Sequence, residues 1–303
     1  MHTRQDAIES ATPVPVRAPV GLATRGIGAD GTRGGLLRAP AARRVPANAE
    51  RLRGLATLCA LTGGSRHVRI GWIDGPVNTD HDLLKNGHLL QDVLPGDGDG
   101  GDGWGDAPGA PSAAATFGVS LLMGHRGTGL CGDCTLLSLP VPPRMDAVLR
   151  AVHRGIDWCA HVLVLALDDF TPVMTPEWLR ASERAAARGI RLVCVARPGQ
   201  ELLPRAWIPL SVHGESDSPP GGLHVPMVEL RGAALTVGST LRREPRCALA
   251  HVAASFALLA ALRRDLAPAR IWSALLHPHE RSRDPVQLDV SAALLNLGVT
   301  AAP

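Results

Sequence analysis

The chain has 303 residues and a mass of 31.8 kDa, 45% hydrophobic and 19% charged, enough for one large domain or two modest ones and too apolar to be wholly disordered. A formal net charge of +3 with 3% aromatics excludes the basic, aromatic-studded surface of a nucleic-acid binder. No run reaches the roughly 20 uncharged apolar residues of a bilayer span, and the start lacks an apolar core followed by a cleavage site. A cytoplasmic protein without membrane association is expected.

Residues 1–48 are rich in Pro, Gly, Ala and Arg without periodicity and are expected to form a disordered arm. The remainder, 49–303, is expected to form one domain. A short helix starts near Asn48, with Leu52, Leu55, Leu58 and Leu61 on or near one face, and Gly63-Gly64 stops it. VRIGWI (68–73) reads as a buried strand, SAAATFGVSLLM (112–123) as a helix and TLLSLPV (135–141) as a strand. The segment 144–160 has helical spacing through Met145, Val148, Leu149, Val152 and Ile156, and HVLVLAL (161–167) is again a strand. Thr175 caps and Pro176 opens a helix that runs to Gly189, before the strand IRLVCVA (190–196).

Residues 201–243 read as short strands and turns, followed by a helix that is apolar all round from Ala248 to Leu262 and by two closing helices, Ala267–Leu276 and Val290–Leu297. Non-alternating apolar strands separated by helices predict a parallel sheet covered on both faces.

Two features resemble metal sites. Cys131 and Cys134 form a lone CxxC without a second pair or matching histidines, so a turn in a reducing compartment is preferred to zinc or redox use. Cys59, Cys159, Cys194 and Cys247 lie in apolar segments and read as small buried hydrophobes. The Gly-rich run 96–106 carries Asp97, Asp99, Asp102 and Asp106. With Gly101 at its fifth position and Pro108 where a calcium loop has its bidentate Glu, it reads as a solvated acidic loop. No metal or cofactor is expected.

In such a sheet ligands sit beyond the carboxyl ends of the strands. Asp74 closes the first strand in WIDGPVNTDHDLL, a place that suits a functional acid and equally a turn-forming Asp before Gly. This segment resembles the aspartate segment of subtilisin-like serine proteases (subtilases), and its DGPV is nearest to the subtilases that mature cyanobactin-type ribosomal peptides. AATFGVSLLMG stands where that family has HGTxVASxxxG, and GLCGDCTLLSLPV resembles its GxAPxAxLxxxxV. HVLVLALDD matches the strand that leads to the substrate-binding loop, GIRLVCVARPG the strand that ends in AAGN, and CALAHVAASFALLAAL the helix after GTSxAAP. QLDVSAALL resembles the closing segment. The resemblance covers residues 49–303 and implies a subtilisin-like three-layer α/β/α fold with a mainly parallel central sheet.

Transferred position by position, the resemblance keeps the catalytic aspartate as Asp74 and loses the rest: Ala114 stands at the histidine, Arg246 at the serine and Pro198 at the oxyanion-hole asparagine. A serine hydroxyl attacks only when an imidazole takes its proton. Ala114 accepts no proton, Arg246 stays charged, and Pro198 has no N–H. Removing nucleophile or base from such a triad costs about a million-fold in turnover.

His125 lies at the far end of the 112–123 helix, Ser112 lacks a base, His251 reads as structural, and Cys247 beside Arg246 has no histidine partner. Two arrangements suit Arg246: a bidentate pair with Asp74 that fills the former active site, or a side chain running out to solvent while Asp74 caps its turn.

The resemblance therefore implies a catalytically inactive subtilase-like protein that binds a peptide or protein partner in ribosomal modified-peptide biosynthesis, either a precursor peptide or an active subtilase paralogue. The peptide would lie along Leu165, Ala166, Leu167 and Ala196. An active serine-type endopeptidase with substitute or partner-supplied residues, and a structural subunit stabilising an active paralogue, are the alternatives.

Overall fold

A computed structural model describes residues 44–52, 54–85, 87–94, 110–125, 127–168, 170, 173, 175–195, 207–211, 223–225, 228–276 and 286–299. Of the expected arm, residues 1–43 lie outside these, as does the acidic run 96–106. Residues 44–48 are described, and Asn48 is buried there, its Nδ2 donating to the Thr128 and Arg231 carbonyls at 2.7 and 2.8 Å.

The expected first helix is two: α1 (Ala47–Glu50) and α2 (Leu55–Leu61). Gly54 separates them with a φ of 76°, a left-handed backbone at which apolar periodicity gives no warning.

β1 (Arg69–Asp74), β2 (His88–Gln91), β3 (Thr135–Pro140), β4 (Val162–Leu165), β5 (Arg191–Val195), β6 (Trp207–Ser211), β7 (Leu223–His224) and β10 (Val286–Gln287) form one sheet in the order β10-β7-β6-β5-β4-β1-β3-β2. Every neighbouring pair in it is parallel. β8 (Leu230–Ala233) and β9 (Ser239–Arg242) make a separate antiparallel pair. β2 and β10 were not foreseen. They are short edge strands of 4 and 2 residues, and β2 grades from half-buried to exposed, so neither carries an apolar run.

The helices cover both faces. Ile70 and Trp72 of β1, Val162 and Val164 of β4 and Val193 of β5 point to one core with α2, α3 (Ala113–Met123), α6 (Pro245–Leu262), α7 (Pro268–Leu276) and α8 (Val290–Asn296). Ile73, Leu163, Leu165 and Leu192 point to the other, with α4 (Met145–Asp157) and α5 (Pro176–Ala187). Period-two strands with both faces buried read as continuous apolar runs, the pattern seen in the sequence.

α6 begins at Pro245, three residues before the expected start, because proline suits the first helical position. It is buried from Arg246 to Ala261. By length and composition it would pass for a membrane span, and here it is the core helix. One cysteine expectation is corrected. Cys59, Cys194 and Cys247 are buried, but Cys159 is exposed, because α4 ends at Asp157 and Cys159 sits in the turn beyond it with a φ of 59°.

Candidate functional site

β1 lies where the strand order reverses, with β3 on one side and β4 on the other, so its carboxyl end opens onto a crevice. Asp74 is its last residue and is 3% exposed. The turn after it is tied to the start of α3: Ser112 N donates to the Pro76 carbonyl at 2.7 Å and Asn78 N to Thr116 Oγ1 at 3.0 Å. Ser112 caps α3, accepting from Ala115 N at 3.2 Å. Ala114 is half-buried in this first turn, one helical turn before Gly118 on the same face. A Cβ on Gly118 would meet Trp72 Cζ2 at 2.5 Å and Arg246 Cδ at 3.2 Å. The absence of that carbon gives the arginine stem its passage.

Arg246, in the first turn of α6, is 3% exposed and pairs with Asp74. Its Nε donates to Asp74 Oδ2 at 2.8 Å and its Nη2 to Oδ1 at 2.9 Å, a bidentate fork. Of the two arrangements compatible with the sequence, the pair is found. Gly75 N donates to Oδ1 at 2.9 Å and Trp72 Nε1 to Oδ2 at 3.3 Å. A carboxylate has about four acceptor sites, and these four donors fill them. Among the described residues no imidazole is bonded to Asp74.

Burial pushes the Asp74 carboxyl above its ordinary range, against the hydrogen bonds and charge of Arg246. Burial also works against the guanidinium charge, but there Asp74 and Asp168 outweigh it and hold Arg246 above its ordinary value. Both shifts are upward: the first disfavours the charged carboxylate and the second favours the charged guanidinium. With four donors on one carboxylate, the geometry favours the ionised pair at neutral pH.

Asp168 completes the cluster and was missed in the sequence. Both its carboxylate oxygens lie 3.0 Å from Arg246 Nη1, and its side chain is 66% exposed. The available signal was its place just beyond the carboxyl end of β4, in LALDD. Beside these groups opens a cavity of about 360 Å³, lined by Leu165, Ala166, Leu167, Phe170, Val195 and Leu249 among others. Three of the four residues expected to hold a peptide thus line this cavity. The fourth, Ala196, and Pro198 lie outside the described residues.

The other candidates are placed apart from this chemistry. His125 follows the far end of α3. His251 is buried in α6 with neither ring nitrogen hydrogen-bonded, and burial pushes it down to about 4. Burial pushes the Cys247 thiol up, and its Sγ lies 3.5 Å from the Arg242 carbonyl. Cys131 and Cys134 are buried in a turn closed by Cys134 N donating to the Cys131 carbonyl at 2.9 Å. Among the described residues no three His, Cys, Asp or Glu side chains are grouped to hold a metal ion.

A parallel sheet between helical layers, with a buried acid at the end of its central strand and a core helix entering beside it, is a subtilisin-like α/β/α fold. Solved structures agree. The PatG macrocyclase domain superimposes with a TM-score of 0.68 at 16% identity, covering 85% of this chain and 99% of that one, and it is also known in complex with peptide. Prenylagaramide maturation protease PagA gives a TM-score of 0.66 at 18% identity over 82% of this chain and 99% of its own. The nisin leader peptidase NisP from Lactococcus lactis gives 0.67 at 15% over 83% and 93%. At these identities the likeness is one of fold. No protein-family model and no curated protein matches the chain.

Proposed function

We propose that this protein is a catalytically inactive member of the subtilase type that holds a peptide or protein partner in the maturation of ribosomally made, modified peptides. The observation that carries the reading is the pair at the carboxyl end of β1. Arg246, at the position the sequence resemblance gives to the serine, takes two of the four acceptor sites of Asp74, and backbone and indole N–H groups take the others. A triad acid works by holding an imidazole in place. This one has no site left to do so, and Ala114 brings no imidazole. The apolar cavity beside it needs no triad to receive a side chain of an extended peptide. The fold-level likeness to proteins named for peptide maturation, one of them known with peptide, supports the ligand class.

Incubation of the purified chain with unstructured peptides, followed by mass spectrometry, is expected to give no cleavage products, while fluorescence anisotropy with the same peptides registers binding. Cleavage by the purified chain would end the reading, and cleavage that survives Asp74→Ala and Cys247→Ala together would mean that the chemistry resides elsewhere.

A further inference from the structure

We propose that the cavity at the ends of β4 and β5 selects a basic side chain, lysine or arginine, in the bound peptide, with Asp168 as the residue that determines this preference. The inference rests on the peptide-binding reading above and adds the chemical class of side chain received. It starts from the charges at the cavity mouth. Among the described residues Asp74 and Asp168 face one guanidinium, that of Arg246, which leaves this cluster one negative charge in excess. Glu244 with Arg242, whose Nη1 lies 3.6 Å from Glu244 Oε2, adds one charge of each sign and leaves the excess unchanged. The Cys194 thiol in the cavity wall is pushed up to about 12 by burial and stays neutral.

The excess sits at the accessible end of the cluster. Asp74 is sealed, whereas the Asp168 side chain is 66% exposed and meets Arg246 through a single nitrogen, Nη1. Lone pairs on Asp168 therefore remain for a donor arriving from the cavity. Glu244 Oε1 is buried and has no hydrogen-bond partner. Burial first, with the nearby Asp168 charge adding to it, pushes Glu244 up. A cation brought to this mouth meets the exposed Asp168 carboxylate, with the half-buried Glu244 behind it adding no positive charge, and the aliphatic stem of lysine or arginine suits the Leu165, Leu167, Phe170 and Leu249 lining. An acidic side chain would have to displace Asp168 from Arg246 against the excess negative charge.

The test uses three fluorophore-labelled Ala/Ser nonapeptides that differ only in a central lysine, norleucine or glutamate, titrated by anisotropy against the full chain and its Asp168→Asn variant. The lysine peptide is expected to bind at least about fivefold more tightly than the norleucine peptide, and Asp168→Asn to bring that ratio close to one with the melting temperature retained. Equal affinity for lysine and norleucine, tightest binding of glutamate, or a ratio untouched by Asp168→Asn would each overturn the selection while leaving peptide binding in place. Failure of all three peptides to bind would instead remove the peptide-binding reading, and this inference with it.

Discussion

The Asp74–Arg246 pair makes a quantitative demand. Its side chains are 3% and 4% exposed, so removing either partner leaves a charge almost out of water. Breaking a buried pair from one side costs about 3–5 kcal/mol. Arg246→Met leaves Asp74 with only the Trp72 and Gly75 donors and belongs at the upper end. Asp74→Leu leaves Arg246 the half-solvated Asp168 and belongs at the lower end. Replacing both with apolar residues of similar volume is expected to be neutral within about 1 kcal/mol. The singles then lose stability, the double recovers it, and the coupling is at least about 5 kcal/mol.

Urea unfolding followed by tryptophan fluorescence measures all four proteins, and for a domain of this size each single should melt roughly 10 °C lower. In Arg246→Met the carboxyl loses the group that opposed its burial and rises further. The native state then holds a proton that the unfolded state has released. Stability is full below pH 3.8 and falls as pH rises through the raised value, so the variant is penalised less at pH 4 than at pH 7. Singles that each lose under about 1 kcal/mol and add in the double would mean that the two charges are solvated separately, and the argument from filled acceptor sites would fail.

His251 is buried and pushed down to about 4, so the unfolded chain binds its proton first as pH falls. Stability present above pH 6.5 is lost toward pH 4, by roughly 3 kcal/mol, and urea midpoints in His251→Gln should lack this share of the pH dependence. Gly118→Ala places a methyl 2.5 Å from Trp72 Cζ2 and 3.2 Å from Arg246 Cδ. Despite better helix propensity it should lose about 1–2 kcal/mol and alter the near-ultraviolet circular dichroism of Trp72; an unchanged melting curve would mean that the arginine stem does not need that gap.

What was legible in the sequence follows from which forces act locally. The central strands announced themselves because both faces are buried, α3 as the run SAAATFGVSLLM, and α5 because Thr175 caps it, accepting from the Trp178 N–H. The break at Gly54, the edge strands and the exposure of Cys159 were hidden because each depends on a turn or an edge rather than on periodicity. At the site, Asp74 was marked by its place at the end of a strand. Its partner was conceivable only through the family resemblance, since Arg246 is 172 positions away and nothing local to either residue names the other. Asp168 was hidden for the same reason, 78 positions from Arg246, although its acidic character at a strand end was in plain view.

Under the proposed reading the residues at the site depend on one another, so that assembling a triad here by single steps is closed. An imidazole on the face of α3 shared by Ala114 and Gly118 would contend with Arg246 for the same Asp74 oxygens, both already bonded to the guanidinium. Arg246→Ser alone would supply a hydroxyl with no base and strand a buried carboxylate. Ala114→His alone would meet an acid without a free acceptor and a cation beside it, which disfavours the imidazolium that a working triad must form. Each single step therefore costs stability and returns no chemistry. An apolar pair would fill the space as stably, so packing alone does not explain why two charges are kept in the core. The Arg246 nitrogen that Asp74 leaves over reaches Asp168 at the cavity mouth, so under the proposed reading the buried pair also positions an exposed carboxylate for the peptide.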